Sequence, residues 1–369
     1  MKYYVIAGEA SGDLHGSNLL RELKQRDSAA TIRCWGGDLM QAQGATLVKH
    51  YRELAFMGFL EVITNLRTIL KNINFCKQDI VNFAPDVLIL IDYPGFNLRI
   101  AQFAKAKGIK VFYYISPQIW AWKQSRVHKI KRCVDRMFVI LPFEKYFYKK
   151  FDYDVDFVGH PLLDAIANEA TEQFSSFTKF DKPVIALLPG SRRQEVLQSL
   201  PIMLEMSKKF TNYQFVIAAV PSLTREFYAP IVSGFDVAIV YNQTYTLLRN
   251  AKAALVTSGT ATLETALFGI PEVVCYKGNS ISYWIARQLI KVKYISLVNL
   301  IMDKIVVKEL IQLEFNPSLL EKELNNILHN ETTITQLKKD YSELVEKLGG
   351  SGASAKTAEL MMHYLSEKE

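Results

Sequence analysis

Short apolar runs alternate with longer amphipathic stretches along most of the chain. That rhythm predicts stacked β-α units and parallel sheets. In the first half the predicted strands are Tyr3 to Ala7, Thr31 to Trp35, Asp86 to Ile91, Lys110 to Ile115, Arg136 to Ile140 and Val155 to Val158, with helices between them. The stretch from Glu169 to Lys182 has no apolar period and ends at Pro183, so it reads as a linker. A second series follows, with strands at Val184 to Leu188, Gln214 to Ala218, Val237 to Val240, Ala253 to Thr257 and Glu272 to Tyr276. Helical patterns run from about Pro317 to a Gly-Gly-Ser-Gly break at 349–352, and an amphipathic stretch from Ala353 to Ser366 closes the chain. The predicted organisation is a first domain over 1–168, a linker over 169–182, a second domain over 183–345 and a helical segment over 346–369 whose docking place is left open. Both domains are predicted to be Rossmann-like α/β, an architecture that holds ligands at the carboxyl ends of its strands.

A chain of 369 residues with 49% hydrophobic residues can bury two cores. Cys34, Cys76, Cys133 and Cys275 lack metal or redox spacing, which predicts buried, reduced thiols in a cytoplasmic protein. The opening MKYYVIAGEASGD does not have the long apolar core of a signal peptide, and no run approaches the roughly 18 apolar residues that span a bilayer. A net charge of +7 points to anionic partners, which include nucleic acid, phosphorylated substrates and anionic lipid. The basic run from Lys123 to Arg132 stands without a nucleic-acid-binding module, so nucleic acid is not expected.

Two turns in the second half suit an anion. IALLPG leads into Ser191, Arg192 and a helix, so Gly190 and Ser191 open a helix N-terminus where backbone N–H groups favour phosphate, and the Arg192 fork matches a diphosphate. Read blandly, Ser191 is an N-cap and Arg192 a solvated residue. LVTSGTATLETALFGIP repeats the pattern with Ser258, Gly259, Thr260 and Thr262, and places Glu264 one turn into the helix, where it can accept from ribose hydroxyls. Ordinary capping is the competing reading.

In the first half, Gly8, Glu9, Ser11, Gly12 and Asp13 make a strand-to-helix turn able to face an anion or a sugar, or simply to connect the two elements. His15 follows, either in contact with a ligand at this turn or as a polar rim residue. Asp92 ends the run DVLILID ahead of Tyr93, Pro94 and Gly95, at a strand's carboxyl edge. An acid there could serve as a base that takes a hydroxyl proton; a capping Asp in a Tyr-Pro-Gly turn is the alternative. Asp154 and Asp156 mimic a DxD metal signature but read more simply as an edge pattern, so no metal is expected. His160, in Gly-His-Pro at a strand's end, either approaches the cleft or orders a turn. Phe56, Met57, Phe59, Leu60 and Ile63 form an apolar stretch, and Trp120 and Trp122 precede the basic run; both groups read as a membrane or acyl-chain surface, or as core.

LPGSR and SGTATLE, in this order, look like the nucleotide-sugar half of GT-B glycosyltransferases, two Rossmann-like domains facing a central cleft. Together with AGEASGDLHG at 7–16, WGG and Met40 at 35–40, FMGFLEV at 56–62, IDYPGFN at 91–97, SPQIWAW at 116–122, LPFE at 141–144, VGHPLLD at 158–164, SLVNLI at 296–301 and VVKELIQ at 306–312, the chain resembles the lipid-A-disaccharide synthase family. The resemblance implies inverting, metal-independent and cofactor-free transfer of 2,3-diacylglucosamine from UDP to the 6-hydroxyl of 2,3-diacylglucosamine 1-phosphate, at the inner face of a bacterial membrane with an anionic surface. It assigns Arg192 and Ser258 to Thr262 to the diphosphate, Glu264 to the ribose, Asn299 to a loop beside the nucleotide, the Gly8 to Asp13 turn to the acceptor, and Asp92 to the base. Val298 stands where the family pattern has proline. Another GT-B enzyme using UDP-N-acetylglucosamine, a peptidoglycan transferase or an epimerase, and a non-catalytic nucleotide-sugar-binding membrane protein are the alternatives. Oligomeric state is left open.

Overall fold

The computed structural model describes residues 1–54, 66–169, 180–278 and 293–367. They form two units, one of Met1–Glu169 with Leu348–Glu369 and one of Ala170–Lys347.

The first unit is built on β1 (Lys2–Ala7), β2 (Thr31–Gly36), β3 (Thr46–His50), β4 (Val87–Ile91), β5 (Lys110–Tyr114), β6 (Arg136–Val139) and β7 (Asp156–Phe157). They make one parallel sheet in the order β3-β2-β1-β4-β5-β6-β7. Every residue of β4 is buried, as expected of a strand covered on both faces. Edge strand β3 escaped the sequence reading because TLVKH contains no fully buried position and so no continuous apolar run. Strand order turns between β1 and β4, whose register sets Ala7 beside Ile91. The loops that leave these two strands therefore start side by side.

The second unit repeats the plan with β8 (Val184–Leu188), β9 (Gln214–Ala219), β10 (Val237–Tyr241), β11 (Ala251–Thr257), β12 (Glu272–Tyr276) and β13 (Lys308–Ile311), all parallel in the order β10-β9-β8-β11-β12-β13. Its order turns between β8 and β11, with Leu188 opposite Val256. Strand β13 was hidden because Lys308 and Glu309 interrupt its apolar run, leaving Leu310 as its one buried residue.

The Ala353–Ser366 helix belongs to the first unit, where Ala358 and Met361 enter the core with Leu19, Leu23 and Val5. Asp164 holds its start, Oδ1 accepting from Gly352 N at 2.6 Å and Oδ2 from Ser354 N at 2.8 Å. His160 N donates to Leu348 O at 3.1 Å. Tyr364 donates to Asp156 Oδ2 at 3.1 Å, while Arg136 lies 4.0 Å above the Tyr364 ring. Half of the DxD-like pair is thereby engaged by a tyrosine. Asp164→Ala strands two helix-start N–H groups and should cost about 1–2 kcal/mol. Hydrogen exchange should then quicken across 353–366 relative to β4; equal protection in the variant would show that burial alone docks the helix.

Candidate active site

The site residues of the first unit gather where its strand order turns. Gly8 follows β1 so closely under Tyr93 that a Cβ added to it would lie 2.3–2.6 Å from ring atoms, which only glycine avoids. Glu9 is half-buried and Ser11 exposed at the mouth of this turn. Asp92 leaves β4 with φ +43°, followed by Tyr93 at +49°. Left-handed backbone in non-glycine residues costs about 1–3 kcal/mol each and persists only where the surroundings enforce it. Burial, and then the Glu9 charge, raise the Asp92 carboxyl to about 6. A carboxylate that titrates near neutrality at a strand's carboxyl edge has the chemistry of a general base.

Asp13 is corrected to a scaffold role. Its Oδ1 accepts from Gly37 N at 2.8 Å and Met40 N at 3.1 Å, and Oδ2 from Leu39 N at 3.1 Å, so a buried carboxylate caps the Asp38–Ala42 helix. Gly12 packs on Ala7, where a Cβ would come within 3.1 Å, and serves close helix–strand approach. His15 is buried and not at a rim, and burial lowers it to about 4, hence neutral. His160 Nδ1 accepts from Leu162 N at 3.3 Å, in keeping with a turn. Trp120 is also corrected: it is buried edge-on against Phe143, because the 117–126 loop folds it inward, whereas Trp122 is half-exposed with Lys123 and Arg126 at its ring. Phe56, Met57, Phe59, Leu60 and Ile63 lie outside the described residues.

In the second unit the two anion-suited turns leave neighbouring strands β8 and β11. Gly190 has φ +111°, and Ser191 and Arg192 are exposed. Glu195, which sequence reasoning passed over, occupies this helix start: Oε2 accepts from Ser191 N at 3.0 Å and Arg192 N at 3.2 Å, and Oε1 from the Arg192 guanidinium at 3.3 Å. A Glu three residues into a helix was the available signal. At the second turn Gly259 and Thr260 are exposed at the start of the Thr260–Leu267 helix, and Ser258 Oγ donates to Ile295 O at 2.9 Å. Glu264 is half-buried and accepts from Tyr245 OH at 2.9 Å; burial raises its carboxyl.

Thr262 and Asn299 are corrected. Thr262 is fully buried and bonds Gly259 O at 2.9 Å. Asn299, also fully buried, donates to Val307 O and Glu309 Oε1 at 2.9 Å and accepts from Val306 N at 2.7 Å and Val307 N at 3.0 Å. Its amide is thus spent on joining the Leu297–Met302 helix to the strand that follows. Val298 sits in the first turn of that helix, where the family's proline also fits, and Asn299 supplies the rigidity.

The family model for lipid-A-disaccharide synthetase matches residues 3–363. The chain is 38% identical over 373 residues to the lipid-A-disaccharide synthase of Geobacter metallireducens, spanning 99% of this chain and 97% of the relative. It is 40% identical over 375 residues to that of Syntrophus aciditrophicus, spanning 99% and 98%. The chain belongs to the lipid-A-disaccharide synthase family. It is a glycosyltransferase of lipid A disaccharide synthesis. Solved structures share its fold at low identity. A putative UDP-N-acetylglucosamine 2-epimerase from Listeria monocytogenes has a TM-score of 0.69 at 13% identity, covering 100% of this chain and 97% of its own. The UDP-GlcNAc 2-epimerase from Neisseria meningitidis bound to UDP-GlcNAc has a TM-score of 0.66 at 15%, covering 98% and 100%. A glycotransferase of kitacinnamycin gives 0.68 at 14%, covering 99% of each. The two parallel-sheet units are those of GT-B enzymes.

Asn299→Ala removes four buried hydrogen bonds and should destabilise the protein by about 2–4 kcal/mol, read as a lower urea midpoint. Unchanged stability with weakened UDP binding would instead return Asn299 to the ligand contacts.

Proposed function

We propose that the chain transfers 2,3-diacylglucosamine from UDP to the 6-hydroxyl of 2,3-diacylglucosamine 1-phosphate, releasing UDP and a β-1,6-linked disaccharide 1-phosphate. The observation that carries this reading is Asp92, a carboxyl raised toward neutrality at the turn of the first sheet, in a chain of this family. The acceptor hydroxyl gives its proton to the Asp92 carboxylate as its oxygen attacks the anomeric carbon from the face opposite UDP. Glu9 and Ser11, the polar groups at the mouth of the same turn, contact the acceptor sugar.

UDP leaves without a general acid because the diphosphate charge is met by the helix start at Gly259–Thr260 and, once the diphosphate displaces the Glu195 carboxylate, by Arg192 and the helix start at Gly190–Ser191. Glu264 accepts from the ribose. The likeness in fold to an epimerase bound to UDP-GlcNAc supports a UDP-sugar as ligand. No divalent ion is needed in this scheme, since the positive potential comes from the protein itself.

One assay series tests the reading. Mass spectrometry of the reaction run in chelator should find the disaccharide monophosphate; its absence, with restoration by Mg²⁺ or Mn²⁺, would overturn the metal-free scheme. Asp92→Asn should lower kcat by ~10²–10⁴. For the wild type, kcat/KM should fall as pH drops through about 6, because the base must be ionised. The sign for stability is opposite. A carboxyl raised by folding favours the native state while protonated, so its contribution is present below the unfolded value and lost as pH rises through about 6. Asp92→Asn should therefore be more stable than wild type at neutral pH but not at pH ~3. Arg192→Ala should weaken UDP binding by about 1.5–3 kcal/mol, and unchanged affinity would move the diphosphate elsewhere.

Membrane association is the second part of the reading. No helix among the described residues is long and apolar enough to cross a membrane. Half-exposed Trp122 with Lys123 and Arg126 at its ring supports peripheral contact with anionic lipid at the inner face. Co-sedimentation with phosphatidylglycerol vesicles should fall for a Trp122→Ser, Lys123→Ser, Arg126→Ser variant and with rising salt. Equal binding by the variant at every salt concentration would remove this surface from the contact.

A further inference from the structure

Asp92 owes its place to two buried side chains that sequence reasoning did not single out. Its backbone carbonyl accepts from Tyr113 OH at 2.5 Å and from Asn97 Nδ2 at 2.7 Å; the same amide donates to Ile91 O at 3.2 Å. On the other side, Asp92 N donates to Tyr114 O at 3.1 Å, extending the sheet ladder by one residue. Tyr113 and Asn97 are fully buried, so neither can touch a substrate. Both converge on Asp92, the first of two left-handed residues in the IDYPGFN stretch and the carrier of the candidate base.

We propose that Tyr113 and Asn97 form a carbonyl clamp that holds Asp92 in its left-handed conformation and thereby aims its carboxyl at the acceptor hydroxyl. They are positioning residues, and the inference rests on the reading of Asp92 as the base. The physical reason is that a carbonyl with two donors in fixed directions fixes the peptide plane between residues 92 and 93. A left-handed residue has a competing extended conformation at lower local energy, so without the clamp that plane is free to turn. Turning it moves the Asp92 side chain while leaving β4 and its neighbours paired. Tyr93 adds a restraint from above, its ring over Gly8 and its hydroxyl 3.4 Å from Leu54 O, but it is half-exposed and belongs to the mouth of the site. The clamp lies beneath it.

Tyr113→Phe keeps the ring that packs the core and deletes only the hydroxyl; Asn97→Ala is the second variant and carries the same test. Single-turnover rates at saturating UDP-sugar and acceptor, with the KM for each, are measured for wild type, each variant, Asp92→Asn, and each clamp variant combined with Asp92→Asn. Misplacing a catalytic group by about 1 Å costs on the order of 10²-fold, so each clamp variant should lose roughly 10- to 100-fold in the chemical step with KM for UDP-sugar within ~2-fold. In the Asp92→Asn background the same substitutions should lose less than ~3-fold, because there is no longer a base to aim. Wild-type rates in both folded clamp variants would overturn the proposal. So would an equal loss in the presence and absence of the Asp92 carboxyl, which is the signature of a general structural role. A normal rate for Asp92→Asn alone would be a different failure, that of the base assignment itself.

Discussion

Strand order turns once in each parallel sheet, between β1 and β4 in the first unit and between β8 and β11 in the second. At that point the loops leaving two adjacent strands diverge to opposite faces and leave room above the sheet. The candidate base and the two anion-suited turns are found there. Gly8 and Asp92 follow the paired residues Ala7 and Ile91, and the Gly190 and Ser258 turns follow the paired ends of β8 and β11. The sheet's burial is what makes this place precise, since residues without solvent exposure on both faces leave a strand no freedom of register.

Acidic side chains divide into two groups around these turns. Asp13, Asp164, Glu195 and Glu309 accept from backbone N–H groups of a neighbouring turn or loop, so each carboxylate holds a strand-end connection in shape. Hydrogen bonds to a charged acceptor are worth about 1.5–3 kcal/mol, enough to fix a loop that has little apolar surface to bury. Asp92 and Glu264 behave otherwise. Burial raises both, and few donors compensate them. An acid kept short of partners in a partly dry place is available to a ligand or a proton, whereas a saturated one is not. Glu272 belongs to neither group. It is fully buried with both oxygens unpartnered, and burial raises it well above the usual carboxylate range.

The same division explains why several stretches that mark the family come in pairs. AGEASGD meets WGG and Met40 through Asp13; VGHPLLD meets the Gly-Gly-Ser-Gly turn through Asp164; SLVNLI meets VVKELIQ through Asn299 and Glu309. These are partners in folding first, and they leave Glu9, Asp92 and Glu264 as the groups with chemistry to spare, while Arg192 is paired with Glu195. The fold alone does not select the reaction, because epimerases and glycosyltransferases share it at 13–15% identity.

The sequence by itself determined the two α/β units, eleven of their strands and the position of Asp92 at a strand's end, because buried parallel strands must be apolar and ligand turns must follow them. It also carried the family, through an ordered set of short motifs. Tertiary structure decided the rest. Edge strands β3 and β13 have no apolar run, so only their hydrogen-bonded neighbours reveal them. Whether a polar residue beside a turn faces a ligand or a backbone N–H depends on loops tens or hundreds of residues away. For that reason Asp13, Thr262, Asn299 and Trp120 were legible as important positions but not as scaffold. The return of the Ala353–Ser366 helix to the first sheet rests on contacts between residues 164 and 352, a separation over which local pattern carries no signal and only packing does.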